Sequence, residues 1–260
     1  MVELHAAAKD DASLEADEAV PTTIRAPSTA DLEMLEKAGT ELDKAGPAAI
    51  LQWTFGHYGD DVSIACSFGG VSGMVLMHMA QEIQPTAETF YIDTDYLFPE
   101  TYETVEAARK RLPDATIRAY SPAISPDEQA REHGEHLWER DPDLCCDIRK
   151  VEPNRRALAN KRAWISGLRR DQSEERASTP AVQWDEKFGL VKANPLINWD
   201  EKLLWAYIFE HEIPYNPLHD RNFPSIGCTN CTRAVLPGED PRAGRWSGFE
   251  KSECGLHVPS

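Results

Sequence analysis

The sequence predicts an α/β protein in which a parallel, twisted sheet carries helices on both faces. Short runs rich in β-branched and aromatic residues recur along the chain, and segments with helical apolar spacing separate them. Alternation of strand and helix in this way is typical of a parallel sheet covered on both sides. The predicted strands are "VSIACS" (62–67), "TFYID" (89–93), "TIRAY" (116–120) and "AWIS" (163–166).

Helices are predicted on either side of this alternating region. Residues 30–58 have helical apolar spacing that is interrupted at Gly46 and Pro47, which indicates one or two N-terminal helices. The stretch "DEKLLWAYIFEHE" (200–212) is typical of an amphipathic helix with a structural role. Residues 1–28 are acidic and almost without large apolar groups, and we expect them to be disordered.

Composition excludes some classes of function. The 260 residues carry a formal net charge of -17, which argues against a general nucleic-acid or membrane-surface binder. No apolar run approaches the roughly 20 residues that cross a bilayer, and the N-terminus lacks a secretory pattern, so a cytoplasmic location is expected. Residues 149–176 carry a net positive charge, opposite to that of the whole chain, with nine Lys or Arg against four Asp or Glu. They form either a local anion site or a solvated helix face.

Candidate ligand-binding residues follow the predicted strands. Open α/β sheets bind ligands beyond the carboxyl ends of their strands. The glycine-rich loop "CSFGGVSG" can bring backbone amides to a phosphate where the next helix begins, although a plain strand-to-helix turn fits it equally well. "GLRRDQSEER" follows the fourth strand. The predicted substrate-binding residues at these strand ends are Ser67, Gly69, Gly70, Arg169, Arg170 and Arg176.

The six cysteines point away from a disulfide framework and toward metal or redox chemistry. Cys66 lies in an apolar strand and is expected to be a small buried hydrophobe. The others form the pair Cys145 and Cys146, the "CTNC" pair Cys228 and Cys231, and Cys254 alone. Two pairs supply four ligands for zinc or an iron-sulfur cluster. Adjacent cysteines favour the cluster, while zinc, a redox disulfide and unrelated buried thiols remain open.

Four motifs together resemble a known enzyme family. "CCDIRKVEP", "ISGLRRDQS", "SIGCTNCTRAVLPGEDPRAGRW" and the terminal "ECGLH" are similar to assimilatory adenylyl-sulfate (adenosine 5'-phosphosulfate) reductases, of the phosphoadenylyl-sulfate reductase family. The resemblance spans roughly residues 50–257. It implies an adenine-nucleotide α-hydrolase-like domain over residues 29–240 and a mobile C-terminal segment, 241–260, that carries the nucleophile. It also implies a 4Fe-4S cluster held by Cys145, Cys146, Cys228 and Cys231.

The resemblance further implies a reaction in which Cys254 attacks the sulfur of adenylyl sulfate and releases AMP. Reduced thioredoxin then frees sulfite from the S-sulfocysteine. Lys150 would lie near both cluster and substrate, and Arg242 and Arg245, with Arg176, would hold the phosphosulfate. A protonated His257, or the arginines, would lower the pKa of the attacking thiol.

Two departures from related families limit these expectations. Gly73 stands where ATP pyrophosphatases carry an acidic residue, so magnesium-assisted cleavage of ATP is not expected. No thioredoxin-like domain follows "ECGLH", so the donor is expected to be a separate protein. The alternatives are a 3'-phosphoadenylyl-sulfate or dual-specificity reductase, an ATP-dependent sulfur-transfer or adenylating enzyme, and a nucleotide-binding iron-sulfur sensor. A homo-oligomer is compatible with the sequence.

Overall fold

The computed structural model describes residues 24–249, 251, 253 and 255–257. Within that part of the chain, six strands form one sheet in the order β3-β2-β1-β4-β6-β5. The strands are β1 (Val62–Ala65), β2 (Glu88–Ile92), β3 (Thr116–Tyr120), β4 (Ala163–Ile165), β5 (Val182–Asp185) and β6 (Leu190–Ala193). The predicted parallel sheet is confirmed, because β1 to β4 and β6 run parallel and only β5 is antiparallel.

The chain order of the strands creates a crevice next to β1. From β1 the chain builds outward through β2 and β3, and it then returns to the other flank of β1 with β4, where Val62 pairs with Ala163 and Ile64 with Ile165. Connections on opposite sides of β1 leave an opening beyond the carboxyl ends of β1 and β4. This is the topological switch point at which open α/β sheets bind ligands.

The hairpin formed by β5 and β6 was not predicted from the sequence. Its turn is held by the Asp185 carboxylate, which accepts the backbone N–H groups of Lys187 at 3.1 Å and Phe188 at 3.3 Å. Gly189 completes the turn with a φ of 70°. Every residue of β6 is buried, Lys192 included. Because one of the four residues of β6 is a lysine, its apolar run is too short to predict a buried strand from the sequence.

The helices are α1 (Thr29–Leu42), α2 (Pro47–Tyr58), α3 (Val71–Ile83), α4 (Pro99–Arg111), α5 (Pro126–His133), α6 (Leu137–Arg140), α7 (Pro142–Cys146), α8 (Glu152–Leu158) and α9 (Glu201–Glu210). The predicted break at Gly46 and Pro47 is confirmed, since Gly46 caps α2 and Pro47 opens it. The predicted amphipathic helix is α9. Pro99 begins α4 as expected.

Two apolar clusters cover the two faces of the sheet. The larger includes Ile50, Val75 and Leu204 and packs α1, α2, α3 and α9 against the strands. The smaller includes Leu158 of α8, Trp164 of β4 and Leu190 of β6. Helices therefore lie on both faces, as the sequence predicts. No helix among the described residues is both long and apolar enough to cross a membrane.

Two glycines let the start of α3 lie unusually close to the strand ends. A Cβ on Gly73 would lie 2.7 Å from the Cys66 Sγ and 3.0 Å from the Cys66 Cα. A Cβ on Gly167, in the loop after β4, would lie 2.8 Å from the Ser72 Cβ. Cys66 itself is 1% exposed, which agrees with its predicted role as a buried hydrophobe. An acidic side chain at position 73 has no room here.

Some predicted features fall wholly or partly outside the described residues. The predicted disordered tail, 1–28, is described only from Ile24 onward, where Arg25 pairs with Asp31 at 2.7 Å and lies over the Trp184 ring. In the predicted C-terminal segment, residues 250, 252, 254 and 258–260 are not described.

The two environments of glycine make a matched test of this packing. Gly73→Ala is expected to destabilise the fold by about 1–3 kcal/mol, because the new methyl group meets both backbone and sulfur of Cys66. Gly56→Ala, in α2, meets nothing within 4 Å, and it is expected to stabilise the helix by about 0.5–1 kcal/mol. Urea unfolding of both variants measures the difference, and equal or same-sign shifts would contradict the close approach of α3.

Candidate active site

A cavity of about 410 Å³ opens at the switch point between β1 and β4. Three predicted groups of residues meet there: the loop after β1, the loop after β4, and the C-terminal region that folds back over them. The sequence-predicted residues that line it are Ser67, Gly69, Gly70, Lys150, Arg169, Arg176, Arg242, Arg245 and His257. Arg170 is absent from this lining.

The glycine-rich loop presents backbone donors to the cavity. Gly70 caps α3 without a side-chain hydrogen bond, so the first N–H groups of the helix face the opening with no capping side chain. Gly69 lies against Ile226, whose carbonyl oxygen would be 3.0 Å from a Cβ at that position. The Gly69 carbonyl also accepts a hydrogen bond from His219 Nε2 at 3.0 Å. A helix N-terminus in this setting is suited to an anionic group.

Arg169 and Arg170 diverge although they are adjacent. Arg169 lines the cavity, where its guanidinium donates to Asp171 at 2.8 Å and to Ser72 Oγ at 2.8 Å. Arg170 departs from the prediction: it points away from the cavity and donates to Asp43, to Asn198 and to the Thr179 carbonyl. Arg169 has extended backbone angles, whereas Arg170 begins a 3-10 turn, Arg170–Gln172, so the two side chains leave the chain in different directions.

A carboxylate from the C-terminal segment bridges two of the predicted arginines. Arg176 donates to Glu253 through Nε at 2.8 Å and through Nη2 at 2.6 Å, and Arg242 lies 3.5 Å from the same carboxylate. Both Arg176 and Glu253 are nearly buried. A bidentate arginine pair of this kind is the geometry that guanidinium groups use for carboxylate, phosphate and sulfonate alike.

Arg245 is held in place by packing more than by hydrogen bonds. Its Nη1 donates to Ser225 Oγ at 3.2 Å, and its guanidinium lies 4.4 Å from the centre of the Trp246 ring. Gly227 makes room for it, because a Cβ there would lie 2.4 Å from Arg245 Nη2. Its buried Nε has no hydrogen-bond partner among the described residues. The side chain therefore keeps donor capacity beside the cavity.

The four paired cysteines line a second, smaller cavity next to the first. Cys145 and Cys146 come from the end of α7, and Cys228 and Cys231 come from a loop joined to the β2 exit by the Leu97 to Cys228 bridge. All the described cysteines are free. Burial, reinforced by the neighbouring thiols, raises the pKa of Cys145 to about 12 and that of Cys231 to about 11. Such thiols gain strongly from a bound cation.

Lys150 belongs to both cavities. It lies in a π-helical turn, Asp147–Val151, that follows the adjacent cysteines. The turn is anchored by Arg149, which is 1% exposed and donates to Asp95 at 3.0 Å and to Gln129 at 2.7 Å. π-turns are frequent at functional sites because they re-aim side chains. Here the turn puts a lysine between the cysteines and the ligand cavity.

His257 departs from one expectation, because its surroundings disfavour the protonated imidazole. Burial first, and then the charges of Lys192, Arg176 and Arg242, hold the pKa of His257 well below its usual range. Its ring stacks on Trp164 with 5.9 Å between centroids. The imidazole is therefore neutral near pH 7. A protonated His257 was one of the two kinds of cation expected beside the thiol, and this environment disfavours it; the arginines are the other.

Cys254, the predicted nucleophile, lies outside the described residues. Its neighbours in sequence are described on both sides. Glu253, Leu256 and His257 line the cavity, and the Gly255 carbonyl accepts a hydrogen bond from Lys187 at 2.8 Å. The terminal segment is thus anchored at the cavity before and after position 254.

Sequence reasoning missed the residues that receive this segment. Trp164, Asp185, Lys187 and Lys192 come from β4 and from the hairpin, and none belongs to a motif. The sequence signal that could have indicated them is "WDEKFGLVK" (184–192), in which charged residues alternate with large apolar ones. In the sequence Glu253 is only one letter of "ECGLH", and its pairing with Arg176 depends on tertiary structure.

The fold and the cavity define an open-sheet α/β protein with a cationic ligand cavity at its topological switch point. Residues 61–234 match the phosphoadenosine phosphosulfate reductase domain. A protein of Shouchella clausii named adenosine 5'-phosphosulfate reductase is 48% identical over 225 residues, covering 86% of this chain and 93% of the relative. A protein of Salinibacter ruber with the same name is 47% identical, covering 86% and 88%. The chain belongs to the phosphoadenosine phosphosulfate reductase family, a family of oxidoreductases.

Solved structures agree. A phosphoadenylyl-sulfate reductase of Candida auris, solved as a phosphate complex, superposes with a TM-score of 0.66 at 30% identity, covering 80% of this chain and 98% of that one. The FMN adenylyltransferase of Candida glabrata superposes with a TM-score of 0.54 at 15% identity, covering 79% of this chain and 67% of that one. The second likeness concerns the fold alone.

The Glu253 carboxylate predicts competition at Arg176 and Arg242. Glu253→Gln removes one negative charge from both guanidinium groups, and inorganic sulfate is expected to bind about 5- to 10-fold more tightly. Glu239→Gln is the matched control, because Glu239 pairs with Arg233 away from the cavity. Isothermal titration with sulfate measures both variants. Equal affinities in wild type and Glu253→Gln would show that the carboxylate does not compete with anions.

Proposed function

We propose that the chain reduces adenylyl sulfate to sulfite and AMP, using a thioredoxin-type dithiol in the cytoplasm. The observation that carries the proposal is the convergence on one cavity of four arginines, a helix N-terminus and three residues of the terminal motif, Glu253, Leu256 and His257. The relatives in Shouchella clausii and Salinibacter ruber, both named for this substrate, support it.

Adenylyl sulfate carries one negative charge on its phosphate and one on its sulfonate, and the cavity offers donors for both. The N–H groups at the start of α3 suit one anionic group, and Arg176, Arg242 and Arg245 suit the other. Burial strengthens these interactions, because the arginines interact through a medium of lower dielectric constant than water. The same guanidinium groups then stabilise the charge that develops on the departing phosphate oxygen.

The chemistry proposed for Cys254 is a displacement at sulfur. The thiolate forms a bond to the sulfonate sulfur, the bond from that sulfur to the phosphate oxygen breaks with its electron pair on oxygen, and AMP leaves. Cys254 then carries an SO₃ group. A thiolate is required, and Arg176 and Arg242, which lie against the neighbouring Glu253, are the cations available to favour it.

A dithiol closes the cycle. One thiolate of reduced thioredoxin attacks Cys254 Sγ, sulfite departs with the electron pair of the sulfur–sulfur bond, and a mixed disulfide remains. The second thiol of thioredoxin displaces Cys254, so the thioredoxin is oxidised by two electrons and the sulfate sulfur is reduced by two. The protein ends in its starting state.

The cysteine cavity offers the donor set that a 4Fe-4S cluster takes. Its two cysteine pairs bring four free thiols to one cavity. A cluster takes each thiolate on a different iron, which suits adjacent cysteines better than a single tetrahedral ion does. We propose that Cys145, Cys146, Cys228 and Cys231 hold it.

When bound, such a cluster supplies a buried iron centre with thiolate ligands; the sulfur displacement above needs no electron from it. What this chain contributes is the surrounding polar shell. Thr94 Oγ1 lies 3.3 Å from Cys228 Sγ, and Gln129 Nε2 lies 4.0 Å from Cys145 Sγ. Lys150 places a positive charge between these thiolates and the ligand cavity, where it balances negative charge on either side.

A second substrate, 3'-phosphoadenylyl sulfate, is favoured by one observation. The Candida auris relative is named for it and superposes over most of both chains. The ratio of kcat/KM for the two nucleotides decides between them, and a ratio near one would identify a dual-specificity enzyme.

The adduct on Cys254 is the direct test of the proposed function. Wild-type protein mixed with adenylyl sulfate and no thioredoxin is expected to gain one SO₃ group, roughly 80 Da, on the peptide that contains Cys254, and reduced thioredoxin is expected to remove it as sulfite. Cys254→Ser is expected to bind the nucleotide and release no sulfite. Turnover by the serine variant, or an adduct on another cysteine, would refute the mechanism. ATP hydrolysis without sulfite would instead identify an adenylating enzyme.

The cluster has its own test. Protein purified without oxygen is expected to be brown and to contain about four iron and four sulfide per chain. Cys228→Ser is expected to lose the iron, whereas Cys66→Ala, which changes a buried cysteine outside the second cavity, is expected to keep it. Iron and sulfide analysis with the visible absorption spectrum measures both. One zinc per chain in active, colourless protein would contradict the cluster.

A further inference from the structure

The C-terminal segment packs on a surface formed by Trp164 of β4 and by Lys187 and Lys192 of the β5–β6 hairpin, which we call its seat. The His257 ring lies parallel to the Trp164 indole, with 10° between their planes. Gly255 packs near Val151, and its carbonyl oxygen is bound by Lys187 at 2.8 Å. The described part of the segment therefore contacts β4 and the hairpin.

Lys192 is the most deeply buried charge in this seat. Its side chain is 3% exposed, and its Nζ lies 3.2 Å from His257 Nδ1, 3.9 Å from an Asp185 carboxylate oxygen and 4.8 Å from the centre of the Trp164 ring. Asp185 is fixed in turn by the Trp164 indole N–H at 3.2 Å. A buried ammonium is retained when a carboxylate, an aromatic face and a lone pair surround it in this way.

The chemistry of the two partners fixes the direction of the contact. An ammonium group has three N–H donors and no acceptor, so the imidazole must accept through Nδ1. The charges of Arg176 and Arg242 also act on His257. Asp185 is paired with Lys192 and accepts a hydrogen bond from the Trp164 indole. With cations on these sides, the ring keeps one proton, and Nε2 is the nitrogen left to carry it.

We infer that Lys192 is a positioning residue that holds His257 by Nδ1 and thereby fixes the tautomer whose only N–H is on Nε2. His257 lines the cavity, whereas Lys192 does not. The effect of Lys192 on chemistry therefore passes through the histidine. With Nδ1 bound to Lys192, Nε2–H is the one N–H that the ring can offer to an anionic oxygen in the cavity. In the opposite tautomer, a lone pair would face that oxygen.

The role in turnover rests on the proposed function, but the tautomer does not. In ¹⁵N-histidine-labelled protein, the His257 signals are expected to show the Nε2–H tautomer, and they are assigned by their loss in His257→Gln. Lys192→Met keeps the length of the side chain and removes the donor, and the signals are expected to shift to a mixture of tautomers. Lys161→Met is the control, because Lys161 lies near Glu88 away from the segment. An unchanged tautomer in Lys192→Met would overturn the inference.

A double-mutant cycle tests whether Lys192 acts through His257. Lys192→Met is expected to slow formation of the Cys254 adduct by about 10- to 100-fold, with AMP affinity within about 3-fold of wild type. His257→Ala with Lys192→Met is expected to be no slower than His257→Ala alone, because residues that act as a unit are non-additive. Multiplicative losses, or a loss confined to AMP affinity, would overturn the positioning role.

The two proposals fail in different ways. If wild-type protein forms no adduct on Cys254, the proposed function fails while the tautomer measurement still decides the contact between Lys192 and His257. Circular dichroism and thermal unfolding of Lys192→Met exclude loss of the fold as the cause of a changed tautomer, and Lys192→Arg, which keeps a buried donor, is expected to restore the Nε2–H signal. Failure of Lys192→Arg to restore it in a folded protein would contradict the donor role.

Discussion

The close approach of α3 to the ends of β1 and β4 is the constraint on which the rest of the site depends. Gly73 lies against Cys66, and Gly167 lies against Ser72, so the helix begins where the two strand ends diverge. That position aims the first N–H groups of α3 into the crevice, and it lets Arg169 reach Ser72. A side chain at either glycine would push the helix out of register with the strands and would widen the cavity.

Much of the fold was predictable because the core strands and the helices that separate them have clear apolar periodicity. The four predicted strands correspond to strands of the observed sheet. The glycine-rich loop and the cysteine pairs can be recognised from residue type and spacing alone. Residues of the short motifs "RAGRW" and "CTNC" line the first and the second cavity, respectively. These predictions needed no knowledge of distant contacts.

The remaining features depend on tertiary contacts that a linear pattern does not contain. The strand β6 includes a buried lysine, Lys192, which lies beside Asp185, Trp164 and His257. The sequence does not tell which of Arg169 and Arg170 faces the cavity. The lowered pKa of His257 follows first from burial and then from three cations that lie 15 to 81 positions away in the chain. Charge environment is a property of the folded chain.

Electrostatics explains how an acidic protein can bind an acidic ligand. The chain carries a net charge of -17, yet the cavity gathers Arg169, Arg176, Arg242 and Arg245. Several of these guanidinium groups already meet an oxygen of the chain, from Asp171, Glu253 or Ser225. The protein thus holds its cationic side chains in ordered positions, and a ligand meets groups that have already lost much of their conformational freedom.

The outermost strands carry a separate consequence for self-association. An exposed strand offers unpaired backbone groups to another copy of the chain. At one margin, α1 lies alongside β5, and Arg25 covers the Trp184 ring. At the other, β3 places Arg118 beside Glu88 of β2, and charged side chains disfavour edge-to-edge pairing. Covering of β5 by α1 and Arg25, and charge on β3, both disfavour the pairing of sheet edges between copies of the chain.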